Sequence, residues 1–209
     1  KLKGQKLPGT MGIGHTRWAT HGKPAERNAH PFMDNTRSFV VVHNGIIENY
    51  LELKTGLEES GVIFTSDTDS EVIVHLIAKA YTGNLKEAVL KVVSYLQGSY
   101  ALCVMHRNSE DIIGARNGSP LLVGLGNQEN FLASDPAALL PHTKRVIFLD
   151  DGQMAVVSDR NIGIRKIVSS QRIRPIVQTL RWNTTQVQKG KFPHFMLKEI
   201  YDQPKILSE

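Results

Sequence analysis

The sequence predicts an α+β domain, with amphipathic helices laid against antiparallel strands, and three observations carry that prediction. The first half holds two consecutive stretches of helical period, one over residues 71–80 and one over 85–96. From Ser99 onward, short apolar runs follow one another across Asn-Ser, Asn-Gly, Gly-Asn and Asp-Gly turns, the pattern of a meander. Helices first and strands afterwards define a layered α+β arrangement. At 209 residues and 41% hydrophobic, the chain can also bury the sizeable core that one large domain, or two small ones, requires.

Taken in order, Met11-Gly12-Ile13-Gly14 reads as a short strand whose glycines admit close backbone approach. It leads into His15-Thr16-Arg17-Trp18-Ala19-Thr20-His21-Gly22, with Asn28-Ala29-His30-Pro31 close behind. A loop punctuated by Gly22 and Pro24 thus carries a dense set of donors, and loops on a rigid scaffold are where binding groups concentrate. A planar guanidinium beside aligned hydroxyls suits a carboxylate ligand. The plainer alternative is a surface loop whose Trp18 packs on the core.

Residues 38–42 are a continuous apolar run, a strand buried on both faces. His43-Asn44-Gly45 marks a turn at its end, and Ile46, Tyr50, Leu53 and Leu57 recur at helical spacing immediately after. Such a junction would set the Asn44 amide and the Gly45 N–H side by side, two donors suited to charge developing on a carbonyl oxygen. Alone, the dipeptide equally fits a turn that glycine relieves. Val62-Ile63-Phe64 reads as a short strand, and Thr68-x-x-Glu71 as a capping box for a helix whose apolar face is Val72, Ile73, Leu76, Ile77 and Ala80. Asp67 and Asp69 suit the dipole of that helix. A binding role requires Asp69 to face a cationic ligand group. A second helix uses Leu85, Ala88, Val89, Val92, Val93 and Leu96, ending at Gly98.

Strands follow over residues 100–105, 111–115, 121–125, 131–133, 146–149 and 154–157. Cys103 lies inside the first of them between Leu102 and Val104 and reads as a small core hydrophobe. Past Ile167 the pattern loosens, residues 173–180 being ambiguous. Near the end, Phe192-Pro193-His194-Phe195-Met196-Leu197-Lys198-Glu199-Ile200-Tyr201-Asp202-Gln203-Pro204 suggests a linker or docking segment with a short helix that Pro204 would stop.

Composition narrows the function classes. The formal net charge of +5 comes from scattered lysines and arginines with no aromatic interleaving, so no nucleic-acid footprint is expected. No apolar run reaches the ~18 residues of a membrane span. The single cysteine excludes an internal disulfide and fits a reducing cytoplasm. The eight histidines lack the spacing of a zinc set, so no metal is expected. The chain opens on Lys1 with no signal-peptide core, which points to processing or a missing upstream segment.

His-Thr-Arg-Trp-Ala-Thr-His-Gly, Asn-Ala-His-Pro and His-Asn-Gly, in this order and spacing, resemble the glutaminase domain of class II glutamine amidotransferases. These are N-terminal-nucleophile hydrolases with an αββα sandwich. The tail from His194 to Pro204 is similar to the hinge of the branch that passes ammonia to fructose 6-phosphate through a sugar-phosphate isomerase domain. The resemblance covers essentially the whole chain, implying an amidotransferase domain over 1–192 and a hinge over 193–209. It further implies L-glutamine as ligand, no cofactor, a cytoplasmic enzyme and a homodimeric parent.

Carried over by position, the resemblance makes Arg17 the clamp for the α-carboxylate of glutamine, with Thr20 and His21 beside it. Asp69 becomes the partner of the α-ammonium, and Asn44 with Gly45 the oxyanion hole. Loop 17–24 becomes a lid with Trp18 at its base, and His30 a supporting residue. A zwitterionic amino acid needs one cation and one anion held apart, which Arg17 and Asp69 supply. The departure lies at the start. The family attacks the amide with an N-terminal cysteine whose own α-amine acts as base, whereas residue 1 here is Lys1. The expectation is therefore a fragment without the first strand, the first helix and the nucleophile, inactive alone. Cys103, mid-strand and several elements away, is not expected to substitute. Two other readings are the glutaminase of another class II member, such as amidophosphoribosyltransferase or asparagine synthetase, and a non-catalytic glutamine-binding module.

Overall fold

In the computed structural model, which describes residues 9–17, 22–181 and 189–208, the apolar run at 38–42 is the start of a nine-residue strand. This strand, β2 (Phe39–Ile47), follows the two-residue β1 (Phe32–Met33) and passes straight through His43-Asn44-Gly45. The turn expected at those three residues is therefore absent. They stay extended because β3 (Gly98–His106) pairs with β2 along its whole length, from Phe39↔His106 to Ile47↔Gly98. Ile46, expected in the next helix, belongs to the strand. That helix, α1 (Tyr50–Glu58), begins three residues after β2 ends.

The remaining strands are β4 (Ile112–Asn117), β5 (Leu122–Leu125), β6 (Asn130–Ala133), β7 (Arg145–Phe148), β8 (Gln153–Val157), β9 (Ile162–Lys166), β10 (Arg172–Ile173) and β11 (Gln178–Thr179). All pair antiparallel, in a seven-stranded sheet of order β1-β2-β3-β4-β8-β9-β10 and a four-stranded sheet of order β11-β7-β5-β6. The meander thus splits between two sheets. β9 escapes sequence reading because Ile-Gly-Ile-Arg-Lys offers only one fully buried side chain, Ile164. Residues 11–14 and 62–64, read as strands, form none.

Strand alternation makes the layers. Leu102 and Val104 of β3 point to one face, where Val41, Ile113 and Met154 meet Ile73 and Ile77 of α2 (Glu71–Ala80) and Val89 and Val93 of α3 (Leu85–Val93). Ala101 and Cys103 point to the other, where Val123, Ile147, Leu149, Ala155 and Val157 fill the space between the sheets. A third cluster, with Leu122, Leu139, Leu140, Val146 and Leu180, uses the opposite face of the small sheet. The order is helix, sheet, sheet. The last helix, α4 (Phe195–Ile206), runs through Pro204 instead of stopping there. A proline so near the C-terminus forfeits one main-chain bond without ending the last turn, where the Leu207 N–H still reaches the Gln203 oxygen at 2.9 Å. No helix of the described residues is long and apolar enough to cross a membrane.

The capping box is not made. Thr68 pairs with Ser66, Oγ to Oγ, at 2.9 Å, and the residue preceding α2 is Ser70, without a side-chain cap. Glu71 turns back onto the loop, accepting from the Thr65 N–H at 2.9 Å and the Ser66 N–H at 2.7 Å, with His75 Nε2 3.5 Å away. Burial alone would raise its carboxyl pKa, but these donors outweigh burial and bring it down to about 2. The buried acid therefore fixes the loop that carries Asp67 and Asp69. Because the folded pKa lies below the ordinary value of 4.5, this stabilisation is full above that pH and fades as pH falls toward 2. Glu71→Gln should cost about 3 kcal/mol at neutral pH, where it leaves the buried donors unmatched. It should also flatten the stability curve between pH ~4.5 and ~2. Denaturant titrations of both proteins across that range would reveal a purely spectator Glu71 as two parallel curves.

Candidate active site

The end of β2 carries alternating polar side chains to two different layers. His43 points toward the helices, where its Nδ1 lies 2.8 Å from Ser70 Oγ in a buried site. Burial pushes its pKa down against the opposing pull of the Asp69 carboxylate. Asp69 is itself only 3% exposed, and its Oδ2 accepts the Ile47 N–H at 2.8 Å. Residues 69 and 70 are thereby tied to the end of β2.

Asn44 points the other way, into a cleft of about 460 Å³ whose walls include Gly14, His15, Thr16, Ser134 and Asp135. Its Oδ1 lies 2.8 Å from His15 Nε2, while His15 Nδ1 receives the Arg17 N–H at 2.9 Å. Gly45 has φ +129, and a Cβ there would collide with the Ser99 carbonyl oxygen, so glycine is required. Behind His15 stands His30, ring centroids 4.2 Å apart, and behind that Phe32 at 4.6 Å. Burial, then the neighbouring His15 and His43 rings and the Arg17 guanidinium, lower the His30 pKa to about 3, so its ring is neutral.

The loop after His15 is held by its own backbone. The Arg17 guanidinium donates to the Gly22 oxygen at 3.1 Å and the Lys23 oxygen at 3.3 Å. Buried Asn28 donates to the Lys23 oxygen at 3.0 Å and to Asp67 Oδ2 at 3.2 Å, and accepts the Asp67 N–H at 2.9 Å. Hydrogen bonds from Arg27 and Asn28 hold the Asp67 carboxyl below its usual range.

The structure thus places Asn44 and Gly45 within β2, ties Asp69 to the last residue of that strand, Ile47, and links Arg17 to Asn44 through His15. Asn44 lines the cleft, whereas Gly45, Asp69 and Arg17 are not among its lining residues. Trp18, Thr20 and His21 lie outside the described residues. Sequence reading gave no role to His15, His43, Ser70 or Asn28. A signal for His43 existed, since a histidine continuing an apolar run is a buried polar group that needs a partner. Asn28 had none, because its partners are distant in sequence.

The glutamine amidotransferase domain family matches residues 15–141, more than half of the chain, and the chain belongs to this family. Glutamine–fructose-6-phosphate aminotransferase (isomerizing) of Aquifex aeolicus is 52% identical over all 209 residues, which is 35% of that protein's length. Its counterpart from Thermus thermophilus is 49% identical over 96% of this chain and 33% of its own length, and that from Pyrococcus horikoshii 47% over 100% and 36%. The chain therefore spans about a third of the length of the curated relatives it matches. Among solved structures, the glutamine phosphoribosylpyrophosphate amidotransferase of B. subtilis, complexed with ADP and GMP, superposes with a TM-score of 0.63 at 27% identity. That match covers 77% of this chain and 35% of the other. The fold is the α+β one of N-terminal-nucleophile hydrolase amidotransferases, as expected.

Cys103 needs a different reason for its exclusion than sequence distance. It lines the same cleft as Asn44, in register with Val42 one alternation away. What disqualifies it is protonation: burial pushes its thiol up to about 12, so almost no thiolate exists at neutral pH. Cys103→Ala should cost on the order of 1 kcal/mol through lost packing. The native thiol should resist alkylation at pH 7 until the protein unfolds, and rapid labelling of folded protein would contradict this placement.

Proposed function

We propose that these residues form the glutamine-binding and oxyanion-stabilising part of a glutaminase that feeds ammonia to fructose 6-phosphate. The whole enzyme is then a glucosamine-6-phosphate synthase acting in amino-sugar biosynthesis. The observation that carries the reading is Asn44, extended from β2 into a cleft beside a glycine that only glycine can be. The identity of about one half to the aminotransferases, against 27% to the phosphoribosylpyrophosphate enzyme, favours fructose 6-phosphate as acceptor.

In this scheme Arg17, with Thr20 and His21, takes the α-carboxylate of L-glutamine, and Asp69 takes the α-ammonium. Trp18 is assigned with them to the substrate-binding set. The α-carboxylate competes with the Gly22 and Lys23 carbonyls for the Arg17 fork. A cysteine thiol, supplied by an N-terminus outside these residues, loses its proton to its own α-amine and attacks the side-chain amide carbon. Negative charge develops on the amide oxygen, where Asn44 Nδ2 and the Gly45 N–H donate to it. Ammonia departs with the returned proton, leaving a thioester that water hydrolyses to glutamate. Residues 1–192 serve as the amidotransferase domain and 193–209 as the hinge, with exposed Met196, Ile200 and Tyr201 on α4 available to dock on an isomerase domain. The assembly is a cytoplasmic homodimer without a cofactor.

In the full-length enzyme, Arg17→Lys should raise the glutaminase KM about ten- to a hundredfold, matching ~1.5–3 kcal/mol for a lost hydrogen bond to a charged group. An unchanged KM would remove Arg17 from the carboxylate. Asn44→Ala should lower kcat by about 10²–10³ while KM changes little, because the donor acts on the transition state. Were Asn44 only structural, melting temperature and activity would fall together.

A further inference from the structure

The hydrogen bonds at His15 run in one direction, and a backbone amide sets it. The Arg17 N–H can only donate, and it lies 2.9 Å from His15 Nδ1. Nδ1 therefore carries the lone pair, and the ring proton of the neutral imidazole sits on Nε2. That nitrogen is 2.8 Å from Asn44 Oδ1. With Nε2–H donating, the amide oxygen of Asn44 must face His15, which turns Nδ2 away from the histidine. The flipped amide would set donor against donor.

The imidazole plane is itself fixed by packing. His30 packs against it, tilted by 49° with ring centroids 4.2 Å apart, and Phe32 of β1 stands edge-on behind His30 at 4.6 Å. Among the described residues neither ring nitrogen of His30 has a hydrogen-bond partner, so His30 holds His15 by ring packing rather than by a hydrogen bond. On the other side, the Arg17 backbone has φ +26, a conformation that non-glycine residues rarely adopt and that the loop must hold to keep its N–H on Nδ1.

We infer that His15 is a positioning residue that orients the Asn44 amide for the oxyanion and makes that orientation depend on the backbone of the substrate loop at Arg17. This rests on the reading of Asn44 as an oxyanion donor. His15 touches neither nucleophile nor substrate in the scheme. It converts one loop conformation into one amide rotamer, so the binding of the α-carboxylate and the readiness of the oxyanion site are joined by two hydrogen bonds.

Two isosteres separate the halves of the relay. In His15→Asn the side-chain oxygen replaces Nδ1 and still accepts from Arg17, but nothing reaches Asn44. In His15→Gln the side-chain nitrogen replaces Nε2 and still donates to Asn44, while the acceptor for Arg17 is lost. In the full-length enzyme, His15→Asn should lower glutaminase kcat about tenfold or more, less than outright removal of an oxyanion donor, with KM within about twofold. His15→Gln should recover most of that kcat and instead raise KM. Combined with Asn44→Ala, His15→Asn should add nothing, since the group it orients is gone.

A wild-type kcat in His15→Asn, or losses that multiply in the double variant, would overturn the inference while leaving Asn44 in place. If His15→Asn does not fold, His15→Gln decides: a kcat as low as that of His15→Ala would equally overturn it. Asn44→Ala with undiminished kcat would instead remove the oxyanion reading itself.

Discussion

The full-length pairing of β2 with β3 is the constraint from which the site follows. An isolated Asn-Gly would favour a turn, and here the ladder from Phe39 to Ile47 overrides that preference. Once the chain stays extended, successive side chains must face opposite layers. His43 is then committed to the helical layer and Asn44 to the space between the sheets. The crowding of Gly45 against Ser99 and of Gly98 against Ile46 shows how closely the two backbones approach where the strands meet the site. The geometry of the cleft is a by-product of register, and a slip by one residue would exchange the two sets of side chains.

Polar groups in the interior are handled in two ways. Asp69, Glu71, His43 and Ser70 are buried and mutually or backbone bonded, as low-dielectric surroundings demand. Glu71 holds the loop, the loop presents Asp69, and Asp69 secures the N–H of Ile47. His30 is handled differently: among the described residues its ring nitrogens have no hydrogen-bond partner, and the ring stays neutral and serves as an aromatic spacer.

Much of this was readable from residues alone where periodicity was strong. The helix over 71–80 and six of the later strands stand where their apolar spacing put them, because their burial patterns are regular, while the helix expected over 85–96 ends at Val93 and Gly98 opens β3 instead. The misreadings share a cause, local signals outvoted by tertiary pairing or packing. Asn44-Gly45 was drawn into a ladder, Thr68 was displaced as a cap when Glu71 found better partners in the loop, and Pro204 came too late in its helix to break it. The division of the strands between two sheets was invisible, since turn chemistry does not say which neighbour a strand will choose. The motif stretch located the site, but the relay through His15 needed coordinates, because its members are 29 residues apart.

The four sheet edges are unequal in a way that bears on handling. β1, β10 and β11 offer only two residues each, too short to recruit another chain, whereas β6 offers four, with Phe131 and Leu132 among them. Among the described residues nothing pairs with the outer side of β6. An uncovered strand is a template for intermolecular pairing. Copies of this polypeptide purified alone could meet along that edge, so a charged residue placed on it would guard against self-association at high concentration.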